Sequence, residues 1–279
     1  MVVLALETVT KQGSVAILVD DVCRGRAGDA TRTHGERLPR ELLALLDGDG
    51  PRRLEDVDLL AIVAGPGSFT GIRVGMASVQ GLALVTGKPV TAIPTLEAMA
   101  EGWRMGQLES AGRPPSPSTL SVRGYGGQPS FGLPAEAASA ASASRRLEPR
   151  NLLVISCLDG QRGDVFFAAW SVDLDRPIAS ARSVIEPGVG TPVDLVRLVE
   201  AQRSDQPAVV VGIGLDRHAA ALGRLDIPVE PMPMRLADVA ARLAARDPQR
   251  AAPPHALRPI YIRRPDAELA RERAGLAPR

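Results

Sequence analysis

Residues 65–75 (GPGSFTGIRVG) constrain the fold more than any other part of the chain. They follow an apolar run at 59–64 and open a second apolar stretch, 72–85, that is rich in small residues. This order predicts a buried strand, a tight glycine turn and a helix. The first amides of a helix lack intrahelical partners and favour anions, and ligands of α/β folds bind in crevices beside such turns. The segment therefore predicts an α/β fold with a ligand crevice at this turn.

Composition narrows the class of protein. Of the 279 residues 45% are hydrophobic but only 3% are aromatic, so aliphatic side chains fill the core. The net charge of +1 gives no electrostatic reason for direct nucleic-acid binding. Two cysteines, Cys23 and Cys157, are too few for a disulfide framework and are expected to be buried hydrophobes. The start of the chain lacks a basic leader, and no apolar run nears the roughly 20 residues of a membrane span. These features predict a cytoplasmic protein without a membrane anchor.

The pattern of apolar runs predicts two similar halves. Each half opens with a strand and a hairpin and continues with alternating helices and strands, which is typical of α/β domains. Strands are expected at 2–6, 14–19, 22–28, 59–64, 90–93, 152–156, 165–172 and 208–211, and an extended piece at 259–263. Helices are expected after Gly35, at 72–85, from Thr95 as a cap to about Trp103, after Thr191, and at 236–243.

A stretch rich in Pro, Ser, Ala, Gly and Arg separates the halves. Such a composition cannot bury enough apolar surface to offset the entropy of ordering. We therefore divide the chain into an N-terminal α/β domain (1–104), a disordered insertion (105–150), a C-terminal α/β domain (151–262) and a charged tail (263–279). A transient helix is expected at 135–146, within the insertion.

The glycine turn and its flanks resemble the TsaB (YeaZ) family. Further blocks in the same order as in that family are Leu4-Ala5-Leu6-Glu7-Thr8, His34 with Glu36-Arg37-Leu38-Pro39, Gln80-Gly81-Leu82-Ala83, the hairpin segment 159–166, and Pro259 to Arg263. The resemblance covers nearly the whole chain except the insertion. It implies two duplicated α/β domains of the actin-like ATPase superfold, which sugar kinases and heat-shock ATPases share.

The resemblance also implies where a nucleotide or another anion would bind. The corresponding positions are Thr8, Gly67, Ser68, Asp159, Gly160, Gly212 and Gly214. Two of these places depart from the family's pattern, because Glu7 stands for an aspartate and Gln161 for an arginine. Glutamine lacks the charge that arginine offers to phosphate. Nucleotide binding by this chain alone is therefore not expected.

The resemblance further implies a chain without a catalytic metal. The catalytic relative, TsaD, carries two histidines four residues apart, a spacing that places both imidazoles on one helical face. Thr95 and Met99 occupy those positions here, and neither suits a catalytic divalent metal. The three histidines, His34, His218 and His255, show no ligand spacing and are expected to be solvated or at helix ends.

The expected function is that of a non-catalytic subunit. In the family, this protein pairs with TsaD, or with itself, so that threonylcarbamoyl is transferred to the tRNA adenosine beside the anticodon. The expected partners are a TsaD-like subunit that carries the ATP and metal, a TsaE-like ATPase, and tRNA through the complex. The small and apolar helix after the glycine turn is the predicted partner interface, through Phe69, Arg73, Gly75, Met76 and Val79.

Three alternatives stay open on the sequence. A hydrolase would use Ser68, although the surrounding residues are not the nucleophile elbow and a helix cap explains this serine. A stand-alone ATPase would need intact acidic and glycine loops in the crevice. A plain interaction module would dimerise without a role in tRNA chemistry.

Overall fold

The computed structural model describes residues 1–47, 53–110 and 152–263. Its strands are β1 (Val2–Glu7), β2 (Ser14–Val19), β3 (Val22–Ala27), β4 (Leu59–Gly65), β5 (Val90–Pro94), β6 (Leu152–Asp159), β7 (Val165–Val172), β8 (Arg182–Gly190), β9 (Ala208–Ile213) and β10 (Val229–Pro231). Its α-helices are α1 (His34–Leu46), α2 (Phe69–Thr86), α3 (Thr95–Ser110), α4 (Pro192–Gln202), α5 (Ala219–Leu222) and α6 (Leu236–Arg246). Short 3-10 turns lie at Leu54–Asp56, Ile178–Ser180, Asp216–His218, Gly223–Leu225, Pro248–Arg250 and Pro254–Ala256.

The strands form two five-stranded sheets with the same plan. The first sheet has the order β3-β2-β1-β4-β5 and the second the order β8-β7-β6-β9-β10. In each sheet the first three strands are antiparallel neighbours, and the last two run parallel to the strand that opens the half. The prediction of two duplicated α/β halves is therefore confirmed.

Strands β1 and β4 form the centre of the first sheet and are buried along nearly their whole length. Continuous apolar runs such as LLAIVAG suit strands that are covered on both faces. Helices α1, α2 and α6 pack on this sheet. Helix α6 follows the second sheet along the chain, and the sequence-based bounds assign it to the C-terminal domain. Its apolar face is nevertheless buried against β1, β2 and β4 of the first sheet.

Helix α3 joins the two sheets. It packs on β4 and β5 of the first sheet, on β6 and β9 of the second, and on α6. At its centre the fully buried carboxylate of Glu101 receives Arg104 at 2.8 Å and Arg246 at 2.6 Å, and the amide of Ile178 at 2.9 Å. Burial alone would raise the pKa of Glu101, but the two guanidinium groups and the amide lower it. The sheets are thus held together by a charged cluster inside the molecule.

Several sequence expectations need correction. Residues 105–110, which the sequence-based bounds assign to the insertion, continue α3. Met105 is buried in this last part of the helix. Strands β8 and β10 were not predicted. Thr95 is the first residue of α3 rather than its cap, and its hydroxyl has no hydrogen-bond partner among the described residues. The transient helix at 135–146 lies outside the described residues.

Helix α2 is the one described helix that is long and apolar enough to pass a test for a membrane span, with 18 residues and a mean hydropathy of 1.2. The sequence pattern had predicted no apolar run long enough for a membrane span. Ile72, Met76 and Val79 of this helix are buried in the core that includes the first sheet. Core helices of folded units pass the same test of length and composition.

Candidate functional site

A crevice of about 1920 Å³ lies where loops from both sheets meet. Its walls come from the loop after β1, the glycine turn after β4, the hairpin loop after β6, the turn after β9, and residues 260–263. Ligands of α/β folds bind beyond the carboxyl ends of parallel strands, which is where four of these loops begin. The glycine turn thus lies at a crevice, as the sequence predicted.

Close packing between the glycine turn and the first hairpin loop shapes one wall. A side chain at Gly71 would come within 1.9 Å of the Thr8 carbonyl oxygen, and one at Gly75 within 2.2 Å of the Thr8 hydroxyl. Ser68 accepts a hydrogen bond from the Gly71 amide at 3.2 Å, which confirms that this serine caps α2. Glycine is needed here because the helix begins directly against the loop's backbone.

The acidic residue that ends β1 is used inside its own hairpin. Glu7 is buried and accepts hydrogen bonds from the Thr10 amide at 2.7 Å and from the Ser14 hydroxyl at 3.0 Å. The Ser14 oxygen in turn accepts the amide of Ala237 at the start of α6. Burial raises the pKa of Glu7, although these hydrogen bonds and the charge of Arg37 oppose the shift. The carboxylate is therefore already bound at the edge of the crevice.

The acidic residue that ends β6 is bound in another way. Asp159 lies 3.0 Å from the Arg217 guanidinium and 3.1 Å from Nε2 of His218. Gln161 adds its amide at 3.1 Å. The cation that the loop lacks at Gln161 is thus supplied by the segment after β9. His218 is buried and lies at a helix end, between the 3-10 turn Asp216–His218 and α5, as one of the two predicted settings for the histidines has it.

The predicted nucleotide or anion residues do not all meet at the crevice. Gly67, Ser68, Asp159, Gly160 and Gly214 line it. Thr8 is fully buried beneath Gly75, and Gly212 packs against Leu215, so neither belongs to the lining. The sequence did not predict that Arg217 and His218 contact Asp159. No local spacing signals a contact across the 59 residues that separate His218 from Asp159.

The predicted partner residues divide between core and crevice. Gly75, Met76 and Val79 are buried within this chain. Phe69 and Arg73 instead contact Tyr261 of the C-terminal segment. The Phe69 and Tyr261 rings lie 5.1 Å apart, and Arg73 donates to the Tyr261 hydroxyl at 3.4 Å. The Arg73 guanidinium also lies 3.9 Å from the Phe69 ring centre. Segment 259–263 belongs to the blocks that carry the family resemblance, but the sequence predicts no site residue in it.

No group of three or more His, Cys, Asp or Glu side chains within 1–47, 53–110 and 152–263 is placed to hold a metal ion. Thr95 and Met99 are both fully buried. Burial raises the pKa of each thiol, Cys23 and Cys157, to about 12, so both stay protonated at neutral pH.

Sequence comparisons point to tRNA modification. The family model described as TsaD, tRNA N6-adenosine threonylcarbamoyltransferase, matches residues 28–127. The tRNA threonylcarbamoyladenosine biosynthesis protein TsaB of Escherichia coli is 38% identical over 105 residues, which cover 37% of this chain and 45% of that protein. The protein of the same name from Haemophilus influenzae is 42% identical over 101 residues, 36% of this chain and 42% of that protein. The matched region spans less than half of either relative.

A solved structure shows the same fold over almost the whole chain. It is described as an uncharacterized protein from Pseudomonas aeruginosa with similarity to peptidase YEAZ, and it is 21% identical with a TM-score of 0.66, covering 94% of this chain and 99% of that one. The duplicated sheets around one crevice define a two-part α/β fold. Part of the chain is thus similar in sequence to TsaB proteins, and nearly all of it shares the fold of a protein described as similar to YEAZ.

Proposed function

We propose that this chain is a non-catalytic subunit that pairs with a TsaD-like protein for threonylcarbamoyl transfer to the tRNA adenosine beside the anticodon. The names of the TsaB relatives and the match to the TsaD family model support this role. Under the proposal the chain works in the cytoplasm with a TsaE-like ATPase, and it meets tRNA through the complex.

The state of the two crevice acids supports a non-catalytic role. Glu7 is bound by Thr10 and Ser14, and Asp159 by Arg217 and His218. A magnesium nucleotide would have to compete with these partners for either carboxylate. We therefore assign ATP and metal to the partner subunit and no cofactor to this chain.

The observation that carries the pairing is an exposed face of α2. We define this face by Ala77, Gly81, Leu84 and Val85; Leu84 and Val85 are 76% and 85% exposed. A side chain at Gly81 would meet nothing within 4 Å, although glycine costs a helix about 1 kcal/mol relative to alanine. Packing within the chain does not explain this glycine, whereas close approach of a second helix does. Leu43 of the neighbouring α1 is 62% exposed and adds apolar surface.

This face replaces part of the interface predicted from the sequence. Met76 and Val79 point into the core, so aspartate at either position would unfold the chain rather than test the interface. Arg73 is exposed and lies on the α2 turn next to the face, so it stays within the proposed interface, while Phe69 lies at its border.

A binding experiment tests the assignment. Leu84→Asp with Val85→Asp should weaken binding of the TsaD-like protein at least about 100-fold, because charge is introduced into an apolar contact. Val193→Asp on α4 is the matched control, since Val193 is also exposed (38%) but lies on the second half. Equal binding by both variants would contradict the interface. Sedimentation of the same variants shows whether a second copy of this chain uses the face.

Depletion of the chain tests the pathway separately. Mass spectrometry of tRNA nucleosides should then show loss of threonylcarbamoyladenosine. Undiminished threonylcarbamoyladenosine would favour a plain interaction module.

The two enzymatic alternatives each have a direct test. The hydroxyl oxygen of Ser68 is occupied by the helix cap, so an active-site serine probe should not label it. Calorimetric titration with ATP and magnesium should show no tight binding to the isolated chain. Labelling or tight binding would revive the hydrolase or the ATPase, respectively.

A further inference from the structure

The C-terminal segment 259–263, here called the strap, crosses the crevice. Its residues Ile260, Tyr261, Ile262 and Arg263 line the crevice together with loops of both sheets. The proposed function gives the strap no role. It contacts the glycine turn of the first half at one end and the hairpin loop of the second half at the other.

The anchor on the first half combines backbone and aromatic contacts. The amide of Ile260 donates to the Ala64 carbonyl at 2.8 Å, and a side chain at Gly65 would come within 2.4 Å of the Ile260 carbonyl oxygen. Gly65 also has a φ of +113°, which favours glycine. Tyr261 packs on Phe69, and its hydroxyl accepts a hydrogen bond from Arg73 at 3.4 Å. Several groups therefore hold this end.

Arg263 provides the polar anchor on the second half. Arg263 donates to the Gly160 carbonyl at 3.0 Å and pairs with the Asp164 carboxylate. Its guanidinium also lies 5.7 Å from the Phe166 ring centre. The side chains of Arg263 and Asp164 are 22% and 33% exposed, so water competes for this contact.

The contacts of Arg263 differ from those of the charged cluster around Glu101, which also connects the two halves. Around Glu101 the charged groups are buried, and opening that cluster would leave charges without water. The Arg263 contact can open without that penalty. Because only two residues separate Ile260 from Arg263, the strap fixes the distance between the two walls only while both anchors hold.

We propose that the strap is a latch. It stays anchored on the glycine turn, is fastened to the second hairpin loop by Arg263, and limits how far the crevice walls separate. Release of Arg263 lets the halves move about the α3 and α6 junction, which stays packed.

Hydrogen exchange tests the fastening. Arg263→Gln should raise amide exchange of residues 160–164 about tenfold, while exchange of the anchored Ile260 and of β1 and β6 stays unchanged. Arg258→Gln is the control, because among the described residues Arg258 donates to the carbonyls of His255 and Leu257 within its own segment. Asp164→Asn should act in the same direction and add nothing to Arg263→Gln. Equal exchange in both arginine variants, or faster exchange throughout the chain, would overturn the latch.

A distance measurement tests the consequence. Spin labels at Arg40→Cys on α1 and Arg197→Cys on α4 report the separation of the halves, and the native cysteines stay silent because both are buried. The distance distribution should broaden and lengthen with Arg263→Gln but not with Arg258→Gln. An unchanged distribution alongside faster loop exchange would show that the strap does not hold the walls, and would refute the proposal.

Discussion

The two sheets share one strand order, but the acidic residue after the opening strand is bound differently in each. Glu7 is closed inside its own hairpin by Thr10 and Ser14. Asp159 instead pairs with Arg217 and His218, which follow another strand of the same sheet. Duplication of the topology therefore preserved the position of the acid but not its partners. In both sheets, side chains or amides of the same chain bind the carboxylate.

The helices that follow the central parallel strands differ as well. After β4 comes the 18-residue helix α2, whose glycines lie against Thr8. After β9 the described chain forms two 3-10 turns with the four-residue helix α5 between them. The first half thus gives the crevice a tightly packed wall, whereas the second half supplies charged side chains. Four predictions test this contrast, beginning with the junction that both halves share.

The largest effect is expected from Glu101→Gln. It leaves Arg104 and Arg246 without a buried counter-charge and should cost about 3–5 kcal/mol of unfolding free energy. Glu186→Gln, at an exposed position of β8, should change stability by less than about 0.5 kcal/mol. Urea denaturation measures both. A loss under about 1 kcal/mol would mean that the halves do not depend on this cluster.

Gly71→Ala tests the packed wall of the first half. The added methyl group meets the Thr8 carbonyl, so we expect a loss of about 1–3 kcal/mol. Gly81→Ala on the same helix meets nothing and should stabilise by about 0.5–1 kcal/mol. Thermal melts of both variants settle the point, and a loss at Gly81 equal to that at Gly71 would refute the packing argument.

The charged wall of the second half is tested by a double-mutant cycle. Asp159→Ala should cost about 1 kcal/mol, because buried His218 loses its hydrogen-bond partner. Combined with His218→Gln, the loss should be clearly less than the sum of the single losses. Strict additivity would show that the two side chains do not interact.

The smallest effect concerns pH at Glu7. Because burial raises the pKa of Glu7 in the folded chain, its proton-linked stabilisation is complete below the unfolded value of 4.5 and is lost as pH rises through the folded pKa. Glu7→Gln should remove this dependence. Urea unfolding from about pH 4 to about pH 7 should show wild type losing stability relative to the variant as pH rises. A difference that is constant or grows the other way would contradict the assignment.

Local patterns made much of the fold predictable. The strands of the first half and the capping box at Thr191 depend on nearby residues, and the structure contains them. Strand β8 was missed because Pro187, Gly188 and Gly190 interrupt its pattern, and β10 because it has three residues. The sequence did not separate the buried from the exposed side of α2, because this helix is apolar or small around most of its surface.

By itself the sequence determined the two-sheet plan and the glycine turn, because each depends on residues close together along the chain. Tertiary structure alone decided the pairing of Asp159 with His218 and of Arg263 with Gly160, 59 and 103 residues apart. It also decided that α6 packs on the first sheet. Contacts at such separations depend on how whole elements pack, and no spacing along the chain encodes that packing.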